Sequence, residues 1–205
     1  VAGGYGYAGP PCISVQRIFV HESRYDDFLK TFVERVRSLP MGDPSLENTV
    51  VGPLINEQAA RRVETWIQEA VSHGATVMTG GTRKDSFIEP AVLTHVNNNM
   101  KVCCEEIFGP VVTVTPYADL EEAFALHNDS DFGLQTGIFT SNIDTMYQAY
   151  SRLEVGALLV NEIPTFRADH MPYGGIKQSG LGREGVRYAI QELTEPKLLL
   201  VKRPS

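Results

Sequence analysis

The sequence predicts an α/β fold of three layers, in which a mostly parallel sheet lies between helices. Segments rich in apolar and β-branched residues alternate along the chain with stretches whose apolar residues recur every three or four positions. Strands and helices that alternate in this way are typical of a mostly parallel sheet covered on both faces. With 205 residues, the chain can bury a sizeable core.

The individual elements follow from their start and stop signals. A strand is expected over 13–20, and Ser23 with Asp26 three residues later predicts a helix start of the capping-box type, with Pro40 ending that helix. Asn56 is expected to cap a second long helix. Later strands are expected at 76–79, 87–96, 111–115, 134–139 and 156–160, and later helices from Asp119, at 143–153 and at 186–193.

Charge and cysteine content exclude several classes of function. A net charge of −7 argues against nucleic acid or an anionic membrane as the main partner. The apolar runs are too short to span a bilayer. Three cysteines form neither a disulfide framework nor a zinc-binding spacing, so we expect a cytoplasmic protein without a structural metal.

Cys12 is the first candidate for chemistry. It follows Gly9-Pro10-Pro11, which cannot extend a helix, so a tight turn is expected at the start of a strand. Reactive side chains of α/β proteins often lie at such element ends, and a thiolate there is a nucleophile. A lone cysteine is more often a small buried apolar residue, and both interpretations stay open on this stretch alone.

Two further stretches carry candidate binding residues. Glu106 and Phe108 lie just before a predicted strand, where a carboxylate can accept hydrogen bonds from a sugar diol and an aromatic face can pack on a heterocycle. The alternative is a pair of solvated glutamates beside one core phenylalanine. The glycine-rich stretch 172–184 opens a helix and is either an anion-binding loop or a long structural turn. The histidines show no ligand spacing and are expected to be surface or satisfied residues; they are His21, His73, His95, His127 and His170.

Together these three stretches resemble the aldehyde dehydrogenase superfamily, and the resemblance covers the whole chain. It is carried by Gly9-Pro10-Pro11-Cys12, by 105–111 and by 172–184 in the right order and spacing. Asn128, Gly133-Leu134 and Val160-Asn161 also fall where the family pattern has them. Pro10 departs from that pattern, which has glutamine there, and this leaves the loop geometry open but not the nucleophile.

The resemblance implies a chemistry and a set of site residues. Cys12 would attack a small aldehyde to give a thiohemiacetal and then a thioester, with NAD or NADP as the hydride acceptor. Glu106 would hold the nicotinamide ribose hydroxyls and Phe108 would pack beside the nicotinamide. Two alternatives stay open: transfer of the acyl group to coenzyme A or phosphate, and a non-catalytic dimerisation or regulatory module of the same fold.

Phe166 and Arg167 lie where the family builds its aldehyde entrance. Their surroundings, Phe166-Arg167-Ala168-Asp169-His170-Met171-Pro172, resemble the lactaldehyde and phosphorylated- or phosphono-aldehyde enzymes of the superfamily. Arg167 therefore either clamps an anionic substrate or forms a structural pair with Asp169 or another carboxylate.

The resemblance also implies a division of the chain. Residues 1–181 would form the nucleophile-bearing catalytic domain, and 182–205 the C-terminal helix and an oligomerisation strand. The apolar strand 197–202 would pair with a neighbouring subunit and make a homo-oligomer. The chain begins with Val1, and the family's dinucleotide-binding half, its general base and its second oxyanion donor have no match here. We therefore expect a fragment that is incompetent by itself.

Overall fold

The computed structural model describes residues 1–6 and 12–203. Its central sheet contains β1 (Arg17–His21), β2 (Thr76–Thr79), β5 (Ala91–Thr94) and β6 (Val111–Tyr117). The strand order is β1-β6-β5-β2. β6 pairs in parallel with both β1 and β5, whereas β2 pairs antiparallel with β5 at the edge. The predicted mostly parallel sheet is confirmed, with one antiparallel edge strand added.

The remaining elements surround this sheet or extend from it. The helices are α1 (Ala2–Tyr5), α2 (Glu22–Arg37), α3 (Glu57–Ser72), α4 (Lys101–Cys104), α5 (Leu120–Asn128), α6 (Ile143–Arg152) and α7 (Val186–Leu193). Three two-stranded pairs complete the described chain: β3 (Arg83–Lys84) with β4 (Phe87–Ile88), β7 (Phe132–Gly133) with β10 (Ile176–Lys177), and β8 (Gln135–Ile138) with β9 (Ala157–Val160).

Two hydrophobic clusters pack against opposite faces of the central sheet. Successive side chains of a strand point to opposite faces. On β6, Val112 and Val114 therefore join the cluster that contains Phe32 of α2, while Val111 joins the cluster that contains Val63 of α3. All five side chains are buried. The sheet thus lies between α2 and α3, which confirms the three-layer arrangement.

The helix starts depend on local side-chain caps. Asn56 accepts a hydrogen bond from the backbone N–H of Ala59, and Asp119 accepts one from Glu122, so both predicted caps are confirmed. The predicted Ser23 start of α2 is wrong. His21 is the cap, because its ring Nδ1 accepts from the Ser23 backbone N–H and the helix begins two residues earlier than Ser23 would allow.

Two predicted strands differ in extent. The strand expected over 13–20 begins at Arg17, because Ser14 and Val15 donate to the Gly3 carbonyl oxygen of α1 instead of pairing with a strand. The extended segment expected over 87–96 is divided into β4 and β5 by Glu89 and Pro90. Pro90 has no N–H to donate to a ladder, so the chain changes its pairing partner there.

The C-terminal segment forms no strand with the rest of the chain. After α7, residues 194–203 have no regular hydrogen-bonded structure. Leu198, Leu199, Leu200 and Val201 are between 77% and 88% exposed. The expected strand over 197–202 is therefore not formed within one copy of the chain, because a strand needs a partner for its backbone groups. Its pairing outside the domain and the domain boundary after residue 181 stay predictions.

Among the described residues, no helix combines the length and the apolar character that crossing a bilayer would require.

Candidate active site

Two loops that enter neighbouring strands form the candidate site. Residues 12–16 lead into β1, and residues 105–110 lead into β6. Because β1 and β6 are parallel neighbours, the amino ends of both strands lie at the same edge of the sheet. The fold therefore brings the Cys12 segment next to the segment that carries Glu106 and Phe108.

Cys12, Glu106 and Phe108 line one shared cavity. Gln16 lines it as well. The cavity encloses about 40 Å³, which is room for a water molecule or two and far below the few hundred Å³ of a cofactor pocket. The described residues around this cavity do not enclose a volume of cofactor size. The Gly9-Pro10-Pro11 turn predicted before Cys12 lies outside the described residues.

The Glu106 and Phe108 side chains are available to a ligand. Both residues are exposed, and within residues 1–6 and 12–203 the Glu106 carboxylate has no hydrogen bond or ion pair. Phe108 has a backbone φ of +45°, a left-handed conformation that a bulky residue rarely adopts and that is common at ligand sites. A free carboxylate and an open aromatic face therefore line the same cavity as Cys12.

The loop that carries these two residues is braced from both sides. The Gln16 amide bonds the backbone at Val102, Glu105 and Ile107. From α3, Arg62 donates to the carbonyl oxygen of Ile107 at 2.8 Å. Ile107 itself is 1% exposed, so it anchors the loop between its two more exposed neighbours.

Tyr173 is the polar neighbour of the nucleophile. Its hydroxyl oxygen lies 2.8 Å from Cys12 Sγ. Burial raises the pKa of Tyr173, and the hydrogen bond with Cys12 raises it further, so the phenol keeps its proton at neutral pH. The other thiols are less available: burial raises the pKa of Cys103 to about 11, and burial also raises the pKa of Cys104.

Arg167 contacts Tyr173, the residue whose hydroxyl lies next to Cys12. Its guanidinium stacks on the Tyr173 ring at 4.4 Å and donates to Glu184 Oε2 at 2.7 Å. The carboxylate partner is therefore Glu184 and not Asp169. Phe166 is 52% exposed and does not line the cavity at Cys12. Its role in an aldehyde entrance stays a prediction.

Sequence reasoning did not assign a role to three residues of this site: Gln16, Arg62 and Tyr173. One signal was available for Gln16, since an amide within an apolar segment needs partners when that segment becomes buried. Arg62 and Tyr173 act through contacts that are distant in sequence, at separations of 45 and 161 residues. Neither contact leaves a local pattern.

The family model described as "Aldehyde dehydrogenase family" matches residues 1–199. The chain belongs to this family. A curated relative, 3-sulfolactaldehyde dehydrogenase of Priestia megaterium, is 45% identical over 197 residues, which are 96% of this chain and 41% of the relative. The chain thus spans about two fifths of the length of the curated relatives that it matches.

Solved structures give the same fold. Aldehyde dehydrogenase 21 from Physcomitrella patens, in complex with the reaction product succinate, matches with a TM-score of 0.94 and 44% identity over 98% of this chain and 42% of that chain. The glyceraldehyde-3-phosphate dehydrogenase of Methanocaldococcus jannaschii, complexed with NADP, has a TM-score of 0.89 and 38% identity over 93% and 41% of the two chains. A betaine aldehyde dehydrogenase of Staphylococcus aureus, in complex with NAD+, has a TM-score of 0.87 and 34% identity over 93% and 40%.

Proposed function

We propose that this chain supplies the nucleophile and the nicotinamide-side contacts for NAD(P)-dependent oxidation of an aldehyde to its carboxylic acid. One observation carries the proposal. Cys12, Glu106 and Phe108 come from loops about a hundred residues apart and line a single cavity. A nucleophile next to a carboxylate and an aromatic face is the arrangement that this chemistry needs.

The Cys12 side chain performs the covalent steps. Its thiolate adds to the carbonyl carbon, a C–S bond forms, and the carbonyl oxygen becomes the oxyanion of a tetrahedral thiohemiacetal. The backbone N–H of Cys12 would donate to that oxygen. The bound dinucleotide supplies the acceptor for the hydride that leaves the same carbon. Water then replaces sulfur at the resulting thioester, which releases the acid and restores the thiol.

Glu106 and Phe108 would hold the nicotinamide end of the dinucleotide. An ionised carboxylate accepts hydrogen bonds from both hydroxyls of a ribose, and the partly exposed Phe108 ring offers a flat apolar surface. These contacts lie at the end of the cofactor that NAD and NADP share. Either dinucleotide therefore fits, in agreement with the NADP and NAD+ complexes of the two structural relatives.

Arg167 favours an aldehyde that carries an anionic group. A guanidinium has five N–H donors in a fixed fork, and the bond to Glu184 occupies one nitrogen. Its position on the Tyr173 ring places it close to Cys12 without contact with the sulfur. The names of two relatives, which refer to sulfolactaldehyde and glyceraldehyde 3-phosphate, and the succinate complex of a third agree with an anionic substrate.

The reaction can be tested in a chimera. The part of the Priestia relative that this chain does not match would be joined to the chain, and NAD(P)H formation would be followed with 3-sulfolactaldehyde and lactaldehyde. We expect turnover that Cys12→Ser abolishes, and no turnover by the 205-residue chain alone, because a cavity of this size cannot hold the dinucleotide. A folded chimera whose turnover survives Cys12→Ser would refute the proposal.

The substrate charge can be tested in the same chimera with Arg167→Gln. We expect KM for the sulfonated aldehyde to rise by a factor that corresponds to about 2 kcal/mol for a charge-assisted hydrogen bond, and KM for propionaldehyde to change little. Arg24→Gln is the control, because it removes the same charge from an exposed position on α2. An equal loss with the neutral aldehyde would show that Arg167 serves only the structure.

A further inference from the structure

The hydroxyl of Tyr173 contacts the sulfur of Cys12 across a large sequence separation. The two atoms lie 2.8 Å apart and the residues are 161 positions apart. Cys12 is exposed, while Tyr173 is only 6% exposed. A buried phenol hydroxyl normally finds a hydrogen-bond partner, and here that partner is the sulfur of the candidate nucleophile.

Arg167 and Glu184 together hold Tyr173 in place. The Arg167 guanidinium lies over its face at 4.4 Å, and that guanidinium is paired with Glu184. The backbones of Tyr173 and Glu184 also exchange two hydrogen bonds, with N···O distances of 3.1 Å from Tyr173 and 2.6 Å from Glu184. Glu184 thus fixes both the backbone of the tyrosine and the cation on its ring. These contacts hold the phenol oxygen beside Cys12.

The direction of the hydrogen bond follows from the chemistry of the two groups. A thiolate can only accept, and a phenol that keeps its proton can donate. The Arg167 guanidinium lies over the Tyr173 ring and is paired with Glu184, the Tyr173 hydroxyl contacts Cys12, and Glu106 lines the same cavity as Cys12. The opposite charges of Arg167 and Glu184 offset each other. Within this cluster the Tyr173 hydroxyl contacts the sulfur directly.

We propose that Tyr173 is a positioning residue for the nucleophile, which donates its O–H to the Cys12 thiolate and holds the sulfur at the cavity. This inference rests on the proposed role of Cys12. A donor to a thiolate stabilises that form relative to the thiol, so loss of the donor should slow reactions that need the thiolate. The hydrogen bond also fixes the χ1 orientation of an otherwise exposed side chain. Arg167 and Glu184 act through Tyr173 in this arrangement.

Tyr173→Phe tests the proposal in the 205-residue chain, because it removes the hydroxyl and keeps the ring under Arg167. The rate of Cys12 alkylation by iodoacetamide would be measured by peptide mass mapping from pH 6 to pH 10. In this step the sulfur forms a C–S bond and iodide leaves. We expect the midpoint of the pH–rate profile to move to higher pH and the rate at pH 7 to fall about tenfold, the size expected for a hydrogen bond to a charged group.

Tyr147→Phe is the matched control, since Tyr147 is 68% exposed and lies on α6. Its profile should equal that of the unaltered chain. An unchanged profile in Tyr173→Phe would overturn the proposal. Glu184→Gln provides a second test if Tyr173→Phe does not fold: it weakens the hold on Arg167, and we expect a smaller shift in the same direction. No shift in a folded Glu184→Gln chain would likewise count against the proposal.

The outcome is separable from that of the proposed function. Alkylation needs only the sulfur and its surroundings, whereas the oxidation test needs turnover by the chimera. A shifted profile together with a chimera that does not depend on Cys12 would support the Tyr173 contact and refute the oxidation mechanism. An unshifted profile together with Cys12-dependent turnover would overturn the positioning role and leave the mechanism in place.

Discussion

The side-chain amide of Gln16 replaces a strand partner for the backbone of Ile107. Its Oε1 accepts from the Ile107 N–H at 3.1 Å, while its Nε2 donates to the carbonyl oxygens of Glu105 at 2.7 Å and Val102 at 3.1 Å. One side chain thereby satisfies two backbone groups of the 105–110 loop and one of α4. Since Gln16 is four residues after Cys12, the Cys12 segment and the 105–110 loop are held as one unit.

Gln16→Leu should loosen this loop without unfolding the chain. The substitution keeps the volume and leaves three backbone groups without their partner, which costs about 1–3 kcal/mol for each one that remains buried. We expect amide hydrogen exchange at Ile107 and Phe108 to accelerate at least tenfold, while the amides of α2 keep their protection. Gln16→Glu is the informative comparison, because its carboxylate can accept from Ile107 but cannot donate to Glu105. Equal protection of Ile107 in all three chains would contradict the brace.

The three thiols should react in a fixed order. Cys12 is exposed, Cys103 is 7% exposed with a pKa raised to about 11, and Cys104 is partly buried with a raised pKa. Because the thiolate is the reactive form, limiting iodoacetamide at pH 7.5 should label Cys12 first, then Cys104, and Cys103 only on unfolding. Mass mapping of the labelled peptides gives the order. Preferential labelling of Cys103 or Cys104 would count against the nucleophile assignment.

Elements specified by neighbouring residues could be predicted from the sequence. Asn56 and Asp119 cap their helices through bonds to the residue three positions later, so a short motif contains all the necessary information. The start of α2 shows the limit of such motifs. Ser23 has the right type, but the His21 ring accepts from the Ser23 backbone N–H, so the helix is capped two residues earlier.

The bracing of the candidate site could not be predicted from the sequence. Cys12, Glu106 and Phe108 were identified from motifs, and the parallel pairing of β1 with β6 explains why they meet. The Gln16–Ile107 bond spans 91 residues, and no local period encodes it. The pairing of Arg167 with Glu184 depends likewise on how the late loop folds back against itself. Long-range contacts of single side chains require the tertiary structure.

His127 should make the stability of the chain depend on pH. Burial lowers its pKa from 6.5 to about 4, with a further contribution from the Arg17 charge, and its Nδ1 is buried without a partner among the described residues. This corrects the expectation that every histidine is on the surface or satisfied. Because the unfolded chain binds this proton at a higher pH than the folded chain, stability contributed by neutral His127 is complete above pH 6.5 and is lost as the pH falls toward 4.

The expected loss is about 3 kcal/mol over this range, from the linkage between pKa and folding free energy. Urea unfolding at pH 7, 5.5 and 4.5 would measure it. His127→Gln cannot take up the proton and should flatten the dependence, whereas His73→Gln at an exposed position should leave it as in the unaltered chain. If His127→Gln retains the full dependence on pH, another group is responsible.

The exposed apolar tail should mediate self-association. Leu198 to Val201 expose most of their surface, and a row of unpaired backbone groups with apolar side chains favours pairing with another chain. Deletion of every residue after Glu195 should therefore lower the molar mass measured by light scattering to that of a single shortened chain. The full chain has a mass of 22.6 kDa. Leu199→Pro separates strand pairing from general apolar adhesion, because it removes one N–H and keeps the side chain apolar. Loss of the oligomer in both variants would identify an added strand as the contact, and loss in the deletion alone would indicate side-chain burial. An oligomer that survives the deletion must form elsewhere, and the exposed apolar residues of α6 would then be the surface to alter.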